Sequence, residues 1–256
     1  MKHGDFSNLA VNYSLYRPGY SPSVLNGLVG LLEKSPSNCS FADIGAGTGI
    51  WTRMLHNLSP VKIDAVEPCD DMRTQGQEDS KNTSIRWVQG TGENTGLTRD
   101  SYDMVSMASS FHWVDFEKGC KEFHRILKTN GRFVALWNSR DVTQNPFLQE
   151  LENYLYILKP DLKRVSSGSS GITNTLTEKL SKFLHFEDIV YIENSQINRL
   201  TPAQYIGAWR SVNDVQYQLG PSKFSKFLSY IEEQTKDIPY LEVPYKTRAW
   251  SARKKD

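Results

Sequence analysis

Cysteine is scarce in this chain of 256 residues: Cys39, Cys69 and Cys120 are odd in number for a disulfide framework and too far apart for a metal knuckle. They are expected to be reduced, semi-buried fillers, with no metal bound. An excess of charge of either sign is also missing, since 30 Lys and Arg face 29 Asp and Glu. A surface without overall sign has little to attract phosphate backbones or anionic lipid. Neither nucleic acid nor membrane is therefore expected as a partner, and the Arg253-Lys254-Lys255 end is expected to be solvated. No run is long and apolar enough to cross a bilayer, and Met1 to Asp5 has no apolar core of a secretory signal. The expected location is cytoplasmic, which makes the sequons at Asn38, Asn57 and Asn82 chance matches. Two nucleotide motifs are lacking as well. No Gly-Lys-Ser or Gly-Lys-Thr marks a P-loop, and the last position of a Gly-x-Gly-x-x-Gly dinucleotide fingerprint is occupied by Ile50.

What is present is the segment Phe41-Ala42-Asp43-Ile44-Gly45-Ala46-Gly47-Thr48-Gly49. A short apolar run ending in Asp enters a loop with glycine at every second position. Such a loop lets the backbone take positive φ or pass close beneath a ligand, and the next helix turns its free N–H groups toward it. A second apolar run, Val61 to Val66, ends in Glu67-Pro68. An acid at the tip of the neighbouring strand is placed to accept both hydroxyls of a ribose. Loop and acid together suit an adenosine whose other substituent carries no pyrophosphate, a description S-adenosylmethionine fits. The plainer reading is a glycine-rich turn between strand and helix with no ligand.

Periodicity then alternates between strand and helix, the pattern of a parallel sheet covered on both faces. Ser21-Pro22 starts a helix with Val24, Leu25, Leu28, Leu31 and Leu32 on one stripe. Strands are expected over 39–44, 61–66, 85–88, 102–108 and 132–137, each followed by a helix; Thr129-Asn130-Gly131 should stop the helix that Asp115 caps. A helix from Asn145-Pro146 and a flexible loop over 166–171 follow, then a sixth strand over 186–192. Helices open at Thr201-Pro202 and at Pro221, and a seventh strand covers 247–253. The expected fold is α/β: a Rossmann-like, seven-stranded, mostly parallel sheet with helices on both faces and a helical lid between strands six and seven. One domain spans 1–256, with a helical cap (1–36), a cofactor-binding core (37–140) and substrate-side helices with the last strands (141–256).

Four segments resemble the class I S-adenosylmethionine-dependent methyltransferases, specifically the small-molecule branch typified by trans-aconitate methyltransferase. They are Tyr13-Ser14-Leu15-Tyr16-Arg17-Pro18-Gly19-Tyr20, the glycine loop with Glu67, Ser109-Ser110-Phe111-His112-Trp113-Val114-Asp115, and Ala135-Leu136-Trp137-Asn138. The resemblance covers roughly residues 10 to 140 and is faint beyond. It implies that Asp43, Gly45, Ala46 and Gly47 approach the methionine part of the cofactor, that Glu67 holds the ribose, and that Pro68 and Met72 flank the adenine. Thr91 and Gly92 would lie beside the adenine amino group, where the family has a small residue or an acid, and Ser109 near the sulfonium. Tyr16 and Arg17 would close over the carboxylate end, although an Arg beside a Pro in a Tyr-rich segment equally suits a surface hinge.

Methyl transfer from a sulfonium is an in-line displacement, so the protein has mainly to align the reactants and exclude water. Tyr13, Phe111, Trp113, Trp137, Asn138, Trp209 and Arg210 are the expected acceptor pocket, the aromatic faces adding cation–π attraction of about 1 kcal/mol. His112 is the expected catalytic residue: a general base for a protonated acceptor, an orienting group for a carboxylate, or a structural histidine. A carboxylate would also need a cation such as Arg210 or Arg140. The expectation is transfer to an oxygen of a small-molecule acceptor, with nitrogen second, by a monomer or weak homodimer. The alternatives are a nucleotide-dependent oxidoreductase, which Ile50 opposes, and a non-catalytic binding protein that keeps the cofactor fold. A nucleic-acid methyltransferase is opposed by the neutral charge and by the lack of an Asn-Pro-Pro-Tyr-type motif.

Overall fold

A computed structural model describes residues 9–164 and 171–255. Strands β1 (Ser40–Ile44), β2 (Lys62–Val66), β3 (Arg86–Val88), β4 (Tyr102–Ala108), β5 (Leu127–Arg140), β6 (Phe186–Leu200) and β7 (Leu241–Lys254) form one sheet in the order β3-β2-β1-β4-β5-β7-β6. Pairings from β3 through β5 are parallel, whereas β7 runs antiparallel to both β5 and β6. The sheet is therefore mixed, with one reversed strand. Its central strands are apolar on both faces because both are covered.

On one face pack α2 (Pro22–Gly30) and α3 (Ile50–His56), through Val24, Leu25, Leu28, Trp51 and Leu55. The Ser21 hydroxyl accepts from the Val24 N–H and Pro22 sits at the first helical position, the start signal the sequence carries. On the other face lie α5 (Phe116–Ile126) and α7 (Leu176–Lys182), whose Cys120, Phe123, Leu176 and Leu180 meet Phe133 and Trp250 of the sheet. A short helix, α4 (Asp70–Asp79), follows β2.

A third core stands apart from the sheet faces. It joins α6 (Pro146–Leu158), α8 (Pro202–Trp209) and α9 (Asn213–Thr235) to Leu241, Val243 and Tyr245 at the start of β7. The register explains its place. Strand β5 ends its pairing with β7 at Arg140 opposite Tyr245, while β6 and β7 stay paired out to Leu200 opposite Leu241. The β6–β7 ribbon thus overhangs the carboxyl edge of the parallel strands and carries the helical cluster with it. Helix α1 (Ala10–Tyr16) bridges the two halves, touching both α4 and α8.

Several expectations change. Strand β5 begins at Leu127, so α5 stops at Ile126 and Thr129-Asn130-Gly131 lies in a register shift of the strand, with Asn130 at φ 62°. No helix follows β3: residues 89–101 are irregular, so the five regular strand-helix units are four. Strands β6 and β7 are about twice the expected length, because their apolar alternation continues through polar residues on an edge ribbon. The Pro221 helix is the second part of α9, whose first part from Asn213 was unforeseen; the break is Gly220, at φ 69° and ψ 169°, outside helical space. Of the expected loop over 166–171, residues 166–170 lie outside the described residues.

Candidate functional site

The glycine loop leaves β1 with Gly45 at φ +63° and Gly47 at φ +59°. A Cβ at Gly45 would lie 2.8 Å from the Ser110 side chain, so this position needs glycine for both conformation and space. The Ala46 N–H donates to Val66 O at 3.0 Å, tying the loop to β2. Just past the end of β2, Glu67 accepts from Gly47 N–H at 2.8 Å and from Cys69 N–H at 2.9 Å. It is 7% exposed, and burial raises its pKa above the ordinary glutamate value despite those two donors. A carboxylate has about four lone-pair sites, and these bonds use two of them.

Loop and acid form one wall of a cavity of about 440 Å³. Of the residues expected at the cofactor, Arg17, Gly45, Ala46, Gly47, Glu67, Pro68, Met72, Thr91, Gly92 and Ser109 all line it. Ile50 and Val114 make its far wall apolar, and Glu93 lines it beside Thr91, its carboxylate accepting from Asp115 N–H at 2.9 Å. Ser109 stands at the tip of β4 with φ 57°, a strained conformation for a residue with a side chain, and its hydroxyl pairs with Tyr20 Oη at 2.9 Å.

A second cavity of about 280 Å³ adjoins the first, and Tyr13, Arg17, Ser109, Trp113, Asn138 and Tyr245 line both. Its other wall is polar: His112, Arg140, Glu152 and Arg164 meet there beneath Ala208 and Val212. Arg140 stacks on Trp209, with its guanidinium carbon 3.6 Å from the ring centroid, and pairs with Glu152 at 3.1 Å. Burial works against the Arg140 charge, but Glu152, with Tyr245, Tyr205 and Asp214, outweighs it, so its pKa stands above the ordinary value. Arg164 lies 3.8 Å from Glu152 and 3.5 Å from Asp214. The Trp137 indole N–H donates to His112 Nδ1 at 3.3 Å. An indole N–H can only donate, so this contact places the ring proton of neutral His112 on Nε2.

Five expected site residues lie elsewhere. Asp43 is buried beneath the loop, accepting from the Thr52 hydroxyl at 2.6 Å and from Ser106 at 3.2 Å; burial, against those two bonds and with the Glu67 charge added, pushes its carboxyl up to about 7. It supports the loop without lining the cavity. Tyr16 packs its ring against Gly207, where a Cβ would come within 2.4 Å. Phe111 turns into the core against Phe123 and Phe133, because a 3-10 turn over Phe111–Trp113 rotates it inward as His112 and Trp113 face out. Trp209 is the buried platform under Arg140, and Arg210, one residue beyond α8, is exposed.

Tyr20, Tyr245, Glu152 and Arg164 line the cavities without having been singled out. Tyr20 sits in the quoted Tyr-rich segment and could have been found there. The others come from segments with no local motif; only folding of the ribbon and α6 brings them to the site.

Residues 42–135 match the family model described as "Methyltransferase domain". The chain is 29% identical over 136 residues to an uncharacterised methyltransferase of Schizosaccharomyces pombe, and 30% identical over 136 residues to one of Mycobacterium bovis. Each alignment covers 53% of this chain and 53% of the relative, so the chain spans about half the length of the curated relatives it matches. A solved candidate type II methyltransferase of Anaeromyxobacter dehalogenans shares the fold with a TM-score of 0.66 at 19% identity, covering 93% of this chain and 98% of that one. Residues 42–135, which hold the glycine loop and Glu67, are thus similar to a methyltransferase domain and to these methyltransferases, and the fold is that of the solved relative.

Proposed function

We propose that the chain transfers a methyl group from S-adenosylmethionine to an oxygen of a small-molecule acceptor by in-line displacement, with nitrogen the second choice. The observation that carries this reading is the pair of adjoining cavities that share a wall at Ser109. The residues of the first fit the donor. Glu67 keeps lone pairs for a ribose diol, Pro68, Ile50 and Met72 offer an apolar slot for adenine, and Glu93 supplies an acid near it. Arg17, held by Ser211 Oγ at 2.8 Å and paired with no acid among the described residues, is placed for the donor's carboxylate. When bound, S-adenosylmethionine supplies a methyl already activated on its sulfonium.

The chain's own part is then placement and exclusion of water. Tyr13 and Trp113 wall the junction of the cavities, and α8 with the first part of α9 covers the acceptor end as a lid. His112, protonated on Nε2, acts as a donor that orients the acceptor oxygen. The likeness to the trans-aconitate branch rests on the cofactor half and leaves the acceptor to the second cavity.

Labelled donor incubated with a metabolite extract tests the reading, with Glu67→Ala as the control. Transfer by the wild type, together with a fall of about 100-fold in S-adenosylhomocysteine affinity in the variant, roughly two charge-assisted hydrogen bonds, is the expected result. Donor binding without transfer to any fraction would leave a binding protein that keeps the cofactor fold.

A further inference from the structure

Arg140 and Arg164 in the wall of the second cavity are matched by acids, Glu152 beside them and Asp214 buried behind. Arg140 and Arg164 are both paired to Glu152, at 3.1 and 3.8 Å, and Arg164 reaches Asp214 at 3.5 Å. Two cations meet two acids, and the side chain of Asp214 is 1% exposed. Among the described residues the remaining cation that lines the cavity is Arg17 at the junction. If it serves the donor's carboxylate, as the proposed function has it, no cation is left over for an anionic acceptor.

Hydrogen bonding points the same way. Glu152 Oε1, Arg164 Nε and both Asp214 oxygens are buried and make no hydrogen bond, the Glu152–Arg164–Asp214 chain being held by charge at ion-pair distance. Glu152 and Arg164 line the cavity through the exposed parts of their side chains, 17% and 21% exposed, one an acceptor and one a donor. A ligand that both gives and takes hydrogen bonds suits those exposed atoms. A polycarboxylate brings only acceptors, and sets like charge against Glu152 in a site poor in water.

We infer that the acceptor is a neutral, hydroxyl-bearing molecule, and that Glu152, by neutralising Arg140 and Arg164, is the residue that turns polycarboxylates away. This rests on the methyltransferase reading of the site, and it separates the chain from acceptors such as the tricarboxylate that typifies the branch it resembles. Arg140 and Arg164 are then positioning residues: they hold Glu152 and the platform on Trp209, and are not free anion receptors.

The test is calorimetry of the full chain with tricarballylate, with and without S-adenosylhomocysteine, in the wild type and in Glu152→Gln. The wild type should bind the tricarboxylate no more tightly than millimolar, and Glu152→Gln, which frees Arg140 and leaves Arg164 with Asp214 alone, should gain at least tenfold. Asp214→Asn, which leaves Glu152 as the one acid shared by Arg140 and Arg164, should gain less and serves if the first variant folds poorly. Tight wild-type binding, or no gain in either folded variant, overturns the inference. A metabolite extract divided on an anion exchanger before reaction gives the second arm: labelled methyl should go to the unretained fraction, and transfer confined to the retained fraction overturns the inference. Absence of S-adenosylhomocysteine binding would instead condemn the donor reading, while the tricarballylate comparison stays measurable on the protein alone.

Discussion

The two cavities are built in opposite ways. The cofactor side is made mostly of backbone: a loop whose shape glycine permits, tied to β2 by one peptide bond's N–H and to Glu67 by another. The second cavity, the proposed acceptor side, is made of long side chains, Arg140, Glu152 and Arg164, brought from β5, α6 and the segment after it. A backbone site depends on a few consecutive residues and survives change in the rest of the chain. A side-chain site depends on the packing of whole helices, and its chemistry can be altered one residue at a time.

The largest break between the halves is expected from the third core. Phe227 is fully buried in α9, edge-on to Trp209 at 4.9 Å between centroids, and Trp209 in turn carries Arg140. Phe227→Ala should cost about 3–5 kcal/mol of stability through the cavity it leaves. If the halves are separable, S-adenosylhomocysteine affinity at low temperature should change less than twofold in the folded variant, while turnover falls. Denaturant titration and calorimetry on the same sample decide. An equal loss in donor affinity would mean that the overhanging cluster also shapes the cofactor side.

The same contrast explains what could be read from the sequence. The glycine loop, Glu67, the strand over Tyr102–Ala108, the helix over Asp70–Asp79 and the Ser21-Pro22 helix start are local events, each specified by a few neighbouring residues. The ends of β6 and β7 were not legible, because an edge ribbon has one exposed side and its polar residues look like loop. Phe111 and His112 were both legible as residues leaving a strand tip. Only the 3-10 turn, which no residue type announces, sends one into the core and the other to the second cavity. Glu152 and Arg164 carry no signal at all in isolation; their meaning comes from Arg140 lying opposite Tyr245 in the sheet register and from α6 packing over it.

Buried charge sharpens the comparison next. Beneath the glycine loop Asp43 is met by the Thr52 and Ser106 hydroxyls, and burial pushes its pKa to about 7, against 3.8 for the free side chain. A carboxyl with a raised pKa in the folded state binds a proton more readily there than when unfolded. Its stabilising contribution is therefore complete below about pH 4 and is lost as pH rises through about 7. Asp43→Asn removes that titrating group, so the wild type should lose about 3 kcal/mol more than the variant between pH 5 and pH 8. Glu67 shifts in the same direction, but it is present in both proteins and cancels from the difference. On the acceptor side Glu152 keeps Arg140 charged throughout this range, and Arg140→Lys should show no extra pH dependence. Denaturant midpoints across the pH series check both; a flat difference between wild type and Asp43→Asn would mean that the carboxyl keeps its charge beneath the loop.

The smallest expected effect concerns His112, on the polar wall of the second cavity next to Trp113 of the shared one. With Trp137 donating to Nδ1, neutral His112 offers an N–H through Nε2, so the part proposed for it is to orient an acceptor oxygen and not to remove a proton from it. Glutamine reaches a comparable distance and carries amide N–H groups, whereas alanine offers nothing. His112→Ala should therefore lower kcat by about tenfold, about 1.4 kcal/mol, the worth of one hydrogen bond in the site, and His112→Gln should restore most of it. A general base would behave otherwise: glutamine cannot accept a proton near neutrality, so both variants would fall by a factor of about 100 or more and the acid limb of the pH–rate profile would vanish in each. Trp137→Phe separates the cases further. It removes the N–H that fixes the ring proton, and so should weaken an orienting histidine yet release a basic one. Steady-state rates for the four proteins, each with donor affinity measured separately, therefore report whether the acceptor side binds its substrate in a form that needs no deprotonation before the methyl arrives.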